Sequence, residues 1–264
     1  MQFIIRKLQA KNEVVLAYKI KKVLAANAPD SWKKDFPQIM SWGNMTPELL
    51  KKKFHWFLKA KVKNAELDYD ADDGVLIWKN GIWENGAWKN GTWKNGIWEK
   101  GIWKEGAWEK GIWKNGTWEY GAWYNGTWKN GLWRDGTWVN GQWKDGVWNG
   151  GTWKNGTWES GTWKEGTWKN GWWEKGTWES GYWENGTWEN GTWKRGTWKR
   201  GTWDDGLWER GTWDYGFWGK GTWKNGTWKN GYWDSGYWKT GRWENGQILN
   251  VKTDKYEPSK TPPR

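Results

Sequence analysis

Beyond residue 75, apolar and polar positions recur with a period of five. Trp stands at 78, 83, 88 and every fifth position to 243, and Gly at 81, 86 and every fifth position to 246, 34 of each without a slip. The pentad reads Gly, a variable residue, Trp, usually a charge, and a junction residue that is Asn in 15 of 34 cases. Five is not a helical period: successive Trp would rotate by about 140° and sweep the whole cylinder. A Gly in every pentad, about 1 kcal/mol worse than Ala in a helix, argues the same way. In a short extended segment such as Thr-Trp-Lys, the period of two sends Trp to one side and its neighbours to the other. Asn-Gly is a strong turn signal. Each pentad is therefore expected to form one side and one corner.

Sides that all turn in one sense wind into a β-solenoid with Trp in the bore, whereas sides that reverse give an antiparallel meander. The meander leaves a wide Trp face uncovered and uses strands at the bottom of the usual length range, so the solenoid is favoured. At this level the pentads resemble those of the pentapeptide-repeat β-solenoids, in which a small residue, a polar residue, a central Leu or Phe and two further polar residues form one side of a square coil. Gly221, Gly226 and their equivalents match the small inward position. Trp83, Trp88, Trp93, Trp223, Trp228 and their equivalents match the central one. Gly for Ala beside Trp for Leu or Phe tends to conserve volume. The resemblance covers roughly residues 76–248 and implies a mainly β fold, a square solenoid of about four pentads per coil. At about 4.8 Å per coil that gives about eight and a half coils and a rod roughly 40 Å long. Trp-Gly pentad arrays also look like sequences of tailed bacteriophages, which implies a virion or accessory protein. Buried indole N–H groups require acceptors, expected at carbonyls near the Asn-Gly corners.

The first 65 residues follow another pattern. Val15, Leu16, Tyr18, Ile20, Val23 and Leu24 mark a helix over about residues 12–27. Thr46-Pro47-Glu48 supplies the cap hydroxyl, first-position proline and first-turn acid of a second, with Leu50, Phe54, Phe57 and Leu58 on one stripe. Trp32, Phe36, Ile39 and Trp42 would fill the core between them. Breaks in the repeat, at Leu67, Tyr69 and Leu76 on one side and Ile248 and Leu249 on the other, are where a solenoid needs caps. The expected organisation is a small basic α-helical domain at 1–65, a solenoid at 66–250 and a disordered, solvated tail at 251–264 containing Pro258, Pro262 and Pro263.

Charge sharpens this division. Residues 1–65 carry 14 Lys or Arg against 4 acids, residues 66–246 carry 24 of each, and the last 18 carry 4 against 2, which together make the net +12. Lys51, Lys52, Lys53, Lys59, Lys61 and Lys63, interleaved with Phe54, His55 and Trp56, fit contact with phosphate or an acidic protein surface; they equally fit a solvated basic face. Acidic members of the family that the pentads resemble can imitate DNA, but residues 66–246 are neutral, so that role is not expected. Aromatics at 20% of the chain argue against disorder, and the absence of Cys removes disulfides and thiolate metal sites. The three-residue apolar run near Met1 is too short for a signal core or a membrane span. A location in the host cytoplasm or a virion, with no membrane partner, is expected.

The run from Asp68 to Gly74 resembles a calcium loop, but Asp73 holds the place of the required Gly and Lys79 that of the bidentate acid. It reads as a solvated acidic linker. His55 has no catalytic partner nearby in sequence, and Glu or Asp beside Trp reads as a soluble surface before it reads as a glycosidase cleft. A 20-residue coil would align Thr117, Thr137, Thr157, Thr177 and Thr197, but Glu119, Glu159 and Glu179 border that column and argue against ice binding. The expectation is a non-enzymatic structural or interaction protein, without catalytic residues, metal or cofactor, whose 1–65 module docks the rod on a protein partner such as a virion component. The alternatives are a nucleic-acid-binding accessory protein acting through 1–65 and, third, a carbohydrate-binding protein.

Overall fold

A computed structural model describes residues 39–263. The helix expected over 12–27, with Trp32 and Phe36, lies outside them. The repeat is a parallel β-solenoid in which each pentad contributes a two-residue strand, the variable residue and its Trp. Each strand pairs with the one fifteen residues on, as in Thr152↔Thr167 and Trp153↔Trp168. Three pentads therefore close a coil, not the four of the square family. The three faces are headed by Trp78, Trp83 and Trp88. The third is an 11-stranded sheet, so the rod has about eleven coils and is about 50 Å long. The first and second faces merge into one 26-stranded sheet, because the strand Val75–Asn85 pairs with both Thr92 and Ile97.

Two features make the coil triangular. At the corners, every fifth Gly from 81 to 241 has φ between 100° and 140°, a region L-residues rarely enter. That permits the sharper bend a triangle requires. Gly161 shows the second constraint: a Cβ there would overlap the carbonyl oxygen of Gly146 in the coil below. The repeat glycine is thus a corner residue, not the small inward residue of the square family. The preceding Asn or Asp holds the corner, as where Asn115 Oδ1 accepts the Gly116 N–H at 2.7 Å. Between coils the ladder is regular, with Thr167 N–H donating to Gly151 O at 3.0 Å and Lys169 N–H to Trp153 O at 2.8 Å.

In the bore, three indoles per coil meet edge to face in a cycle. Trp153–Trp158, Trp158–Trp163 and Trp163–Trp168 have centroids 5.9–6.0 Å apart and planes at 73–74°. Along each face the rings stack, with Trp153 and Trp168 4.8 Å apart and within 6° of parallel. These values are linked. Three planes about a threefold axis at that mutual angle have normals tilted by about 44° from it, and a coil-length translation then leaves about 3.5 Å between stacked rings, van der Waals contact. With only one inward side chain per pentad, four sides would stand around an unfilled axis, which packed interiors avoid.

The indole N–H groups meet the sequence expectation at three positions. Trp203 donates to Lys220 O and Trp218 to Ser235 O at 3.2 Å, and Trp243 to Ser259 O at 2.9 Å, all corner or cap carbonyls. At most other core positions, including every repeat Trp from 78 to 198, the N–H has no acceptor in hydrogen-bond geometry. Such an N–H costs about 1–3 kcal/mol, while burying the ring returns about 4–6 kcal/mol. The ring wins, and the core is apolar in practice.

Both ends are covered. Before the rod come β1 (Ile39–Ser41), α1 (Pro47–Lys53), a 3₁₀ turn (His55–Lys59) and β2 (Lys61–Asp70), which pairs antiparallel with β3 (Val75–Asn85). Thr46 caps α1 as expected, its Oγ1 accepting the Leu49 N–H at 3.1 Å. The helix stops at Lys53 because Phe54 leaves helical dihedrals, so Leu58, expected on the buried stripe, is exposed. Phe57 covers Trp78 and Trp83, and Trp56 covers Trp88. Residues 39–65 thus share the rod's core, and β2 crosses the expected boundary at 65. The acidic run is not a linker: it ends β2 and forms the hairpin turn, where Asp70 Oδ1 accepts the Asp72 and Asp73 N–H groups.

At the other end Ile248 takes the place of Trp, in register over Trp233. The tail expected to be disordered returns as a strand, Lys255–Pro258, antiparallel to Gln247–Asn250, with Tyr256 against Phe217 and Tyr232. The backbone of this hairpin finds partners within the chain, which the three prolines in the sequence obscured.

Candidate functional site

The bore is filled, so chemistry with a partner falls to the outside. Lys51, Lys52 and Lys53 form the last turn of α1, Lys59 ends the 3₁₀ turn, and Lys61 and Lys63 lie on β2. All six are exposed and belong to the N-terminal cap, spread over three elements instead of one helix face. Lys53 Nζ donates to Tyr69 Oη, and Lys63 pairs with Glu84 at 2.6 Å. Glu84 holds the Lys63 ammonium above its usual range. Core residues Trp83, Trp88, Trp93, Trp223 and Trp228 are fully buried as expected.

Asp68 is the best-held carboxylate of the cap. Its Oδ1 accepts the Asn44 N–H at 2.6 Å and the Tyr69 N–H at 2.9 Å, and its Oδ2 pairs with Lys79. Burial pushes this carboxyl up, but the Lys79 and backbone bonds outweigh it and leave it below the usual carboxylate range. Among the described residues no group of three or more His, Asp or Glu converges on a metal-sized space. No helix among them is long and apolar enough to cross a membrane.

A 15-residue coil redistributes the outward side chains. The Thr column expected from a 20-residue coil scatters over three faces. Instead Asn125, Asn140, Asn155, Asn170 and Asn185 stack at the corner between the first and second faces, where Asn185 Nδ2 donates to Asn170 Oδ1 at 3.2 Å and Asn170 Nδ2 to Asn155 Oδ1 at 3.3 Å. Beside them an open groove of about 550 Å³ contains Trp172, which precedes the repeat Trp of its own pentad and is 44% exposed.

Charges after each Trp also form columns. On the first and third faces a run of one sign never exceeds two coils, and neighbours pair, as in Lys94–Glu109 at 2.8 Å and Lys229–Asp214 at 2.7 Å. The second face reads Lys114, Lys129, Lys144, then Glu159, Glu174, Glu189, Asp204. Sequence reasoning with a four-sided coil could not find this block; indexing every fifteenth residue reveals it.

No protein-family model matches the chain, and no curated protein matches it. Among solved structures, a protein described as an acetyltransferase from Desulfovibrio desulfuricans G20 aligns over 79% of this chain and 76% of its own at 4% identity with a TM-score of 0.12. A likeness of that size carries no argument about fold or chemistry. What the fold itself defines is the class, a Trp-cored repeat solenoid of the structural or interaction kind.

Proposed function

We propose that the chain is a non-enzymatic structural or interaction protein, a rigid rod that sets a distance and displays ordered side-chain columns, docked through its basic N-terminal segment. The observation that carries this reading is the continuous indole core from Trp78 to Trp243, which fills the bore and, among the described residues, leaves no polar or charged residue buried. A tailed-phage particle is the setting that the Trp-Gly pentads resemble, and a virion protein is the partner we propose for the basic segment. The test is fractionation of the cells that make the protein. Co-sedimentation with a large assembly at fixed stoichiometry is the expected result, and free protein throughout would sink the reading.

The six exposed lysines of the cap favour one second reading, nucleic-acid binding. Each phosphate contact would then steepen the salt dependence of binding. Binding that weakens steeply with salt and is lost in a Lys51/Lys52/Lys53→Ala variant would support that reading, whereas a flat dependence would favour a protein partner.

A further inference from the structure

The second face breaks the rule that the other two keep. Its Lys block and its acidic block each place like charges at the coil spacing, since the indoles beneath them stack 4.7–4.9 Å apart. Like charges stacked coil upon coil repel one another. Burial, and then Glu159 and Glu189 on either side, push the Glu174 carboxyl up. A column serving only solubility would intersperse its signs. The same face carries exposed Trp172, where the coils below and above have Thr157 and Thr187.

We propose that this face is the interface of an antiparallel homodimer, with a twofold axis crossing it between Lys144 and Glu159, so that each copy's Lys block lies on the other's acidic block. The inference deepens the rod reading and rests on it. A twofold axis in the plane of the face and perpendicular to the rod maps each outward column onto itself in reverse, as an isologous contact requires. Lys144 of one copy then meets Glu159 of the other, joining the Lys144–Glu159 pair that each chain already makes within itself; Lys129 meets Glu174, and Lys114 meets Glu189. In the junction column Lys100 meets Asp205, and in the column before Trp, Thr127 meets and covers Trp172. Only the outermost pair, Glu99 with Asp204, is of like sign, and Glu99 is already bonded to Lys114 at 2.9 Å. One occupant thus accounts for the charge blocks and for the exposed indole together.

Sedimentation equilibrium of the full chain tests this. At low salt the protein is expected to be a dimer, weakened about tenfold or more at high salt as screening shortens the reach of the charges. Lys129→Glu places a carboxylate between Lys114 and Lys144, so it should preserve or raise the denaturation midpoint while abolishing the dimer. Lys129→Glu combined with Glu174→Lys should restore it. A second variant pair reads geometry alone. Duplicating the pentad 151–155 keeps the core repeat but turns all later residues onto the next face, and should give a monomer. Duplicating the three pentads 141–155 restores the face and should give a dimer. A wild-type monomer at low salt, or a dimer that survives the single-pentad duplication, overturns the proposal. Small-angle scattering on the same samples reads the rod length, so loss of the dimer remains distinct from loss of the rod.

Discussion

Within a pentad, Trp and Gly do different jobs, and each can be removed separately. Gly161→Ala forces φ near 120° on an L-residue and overlaps Gly146 O; a loss of about 2 kcal/mol or more is expected in urea denaturation. Trp153→Ala leaves a ring-sized hole between two stacked neighbours and should cost about 3–5 kcal/mol. Trp172→Thr, which restores the commonest residue of that position, should stay within about 0.5 kcal/mol in the monomer. The inward Trp was legible from the period of two around it. The glycine was legible as a corner from Asn-Gly, but its match to the small inward position of the square family misled, because a small side chain and a positive φ leave the same letter.

At the level of elements, the caps decide where unfolding starts. Phe57→Ala uncovers Trp78 and Trp83, and hydrogen exchange should rise first in the first coil and fall off along the rod, since repeats contact only their neighbours. Asp68→Asn removes the Lys79 pair and weakens two backbone bonds, with an expected loss of about 1–3 kcal/mol. Because the folded Asp68 carboxyl lies below its ordinary value of 3.8, the wild-type advantage is complete at neutral pH and disappears as pH falls through the lowered folded value. Chemical denaturation of both proteins from neutral to strongly acidic pH checks this. Thr46-Pro47-Glu48 announced α1 because capping is local. The strand nature of 61–70 was hidden, since a run of Lys, Asn and Glu becomes a strand only through its pairing with β3.

For the whole molecule, the sequence told a solenoid but not its number of sides. A period of five is the same for a triangle and a square, and the difference lies in the corner bend and in how many rings close the bore. Every property that depends on columns was therefore illegible until the coil length was known: the Asn ladder, the ion pairs between residues fifteen apart, and the blocks on the second face. The ion pairs are surface pairs worth about 0–1 kcal/mol each, so they are expected to add little to the salt dependence of the rod's unfolding.

The stacked rings have an optical consequence. Indoles in van der Waals contact, within 3–7° of parallel along each face and steeply inclined around each coil, are placed for excitation to pass from ring to ring faster than it is emitted. Absorption by one chromophore then belongs to the column. The folded protein should show strong, paired near-ultraviolet circular dichroism bands, and its emission should be depolarised far beyond what tumbling of so large a rod allows. Both signatures should vanish together in denaturant, and steady-state anisotropy that matches simple tumbling would show that the rings do not share their light.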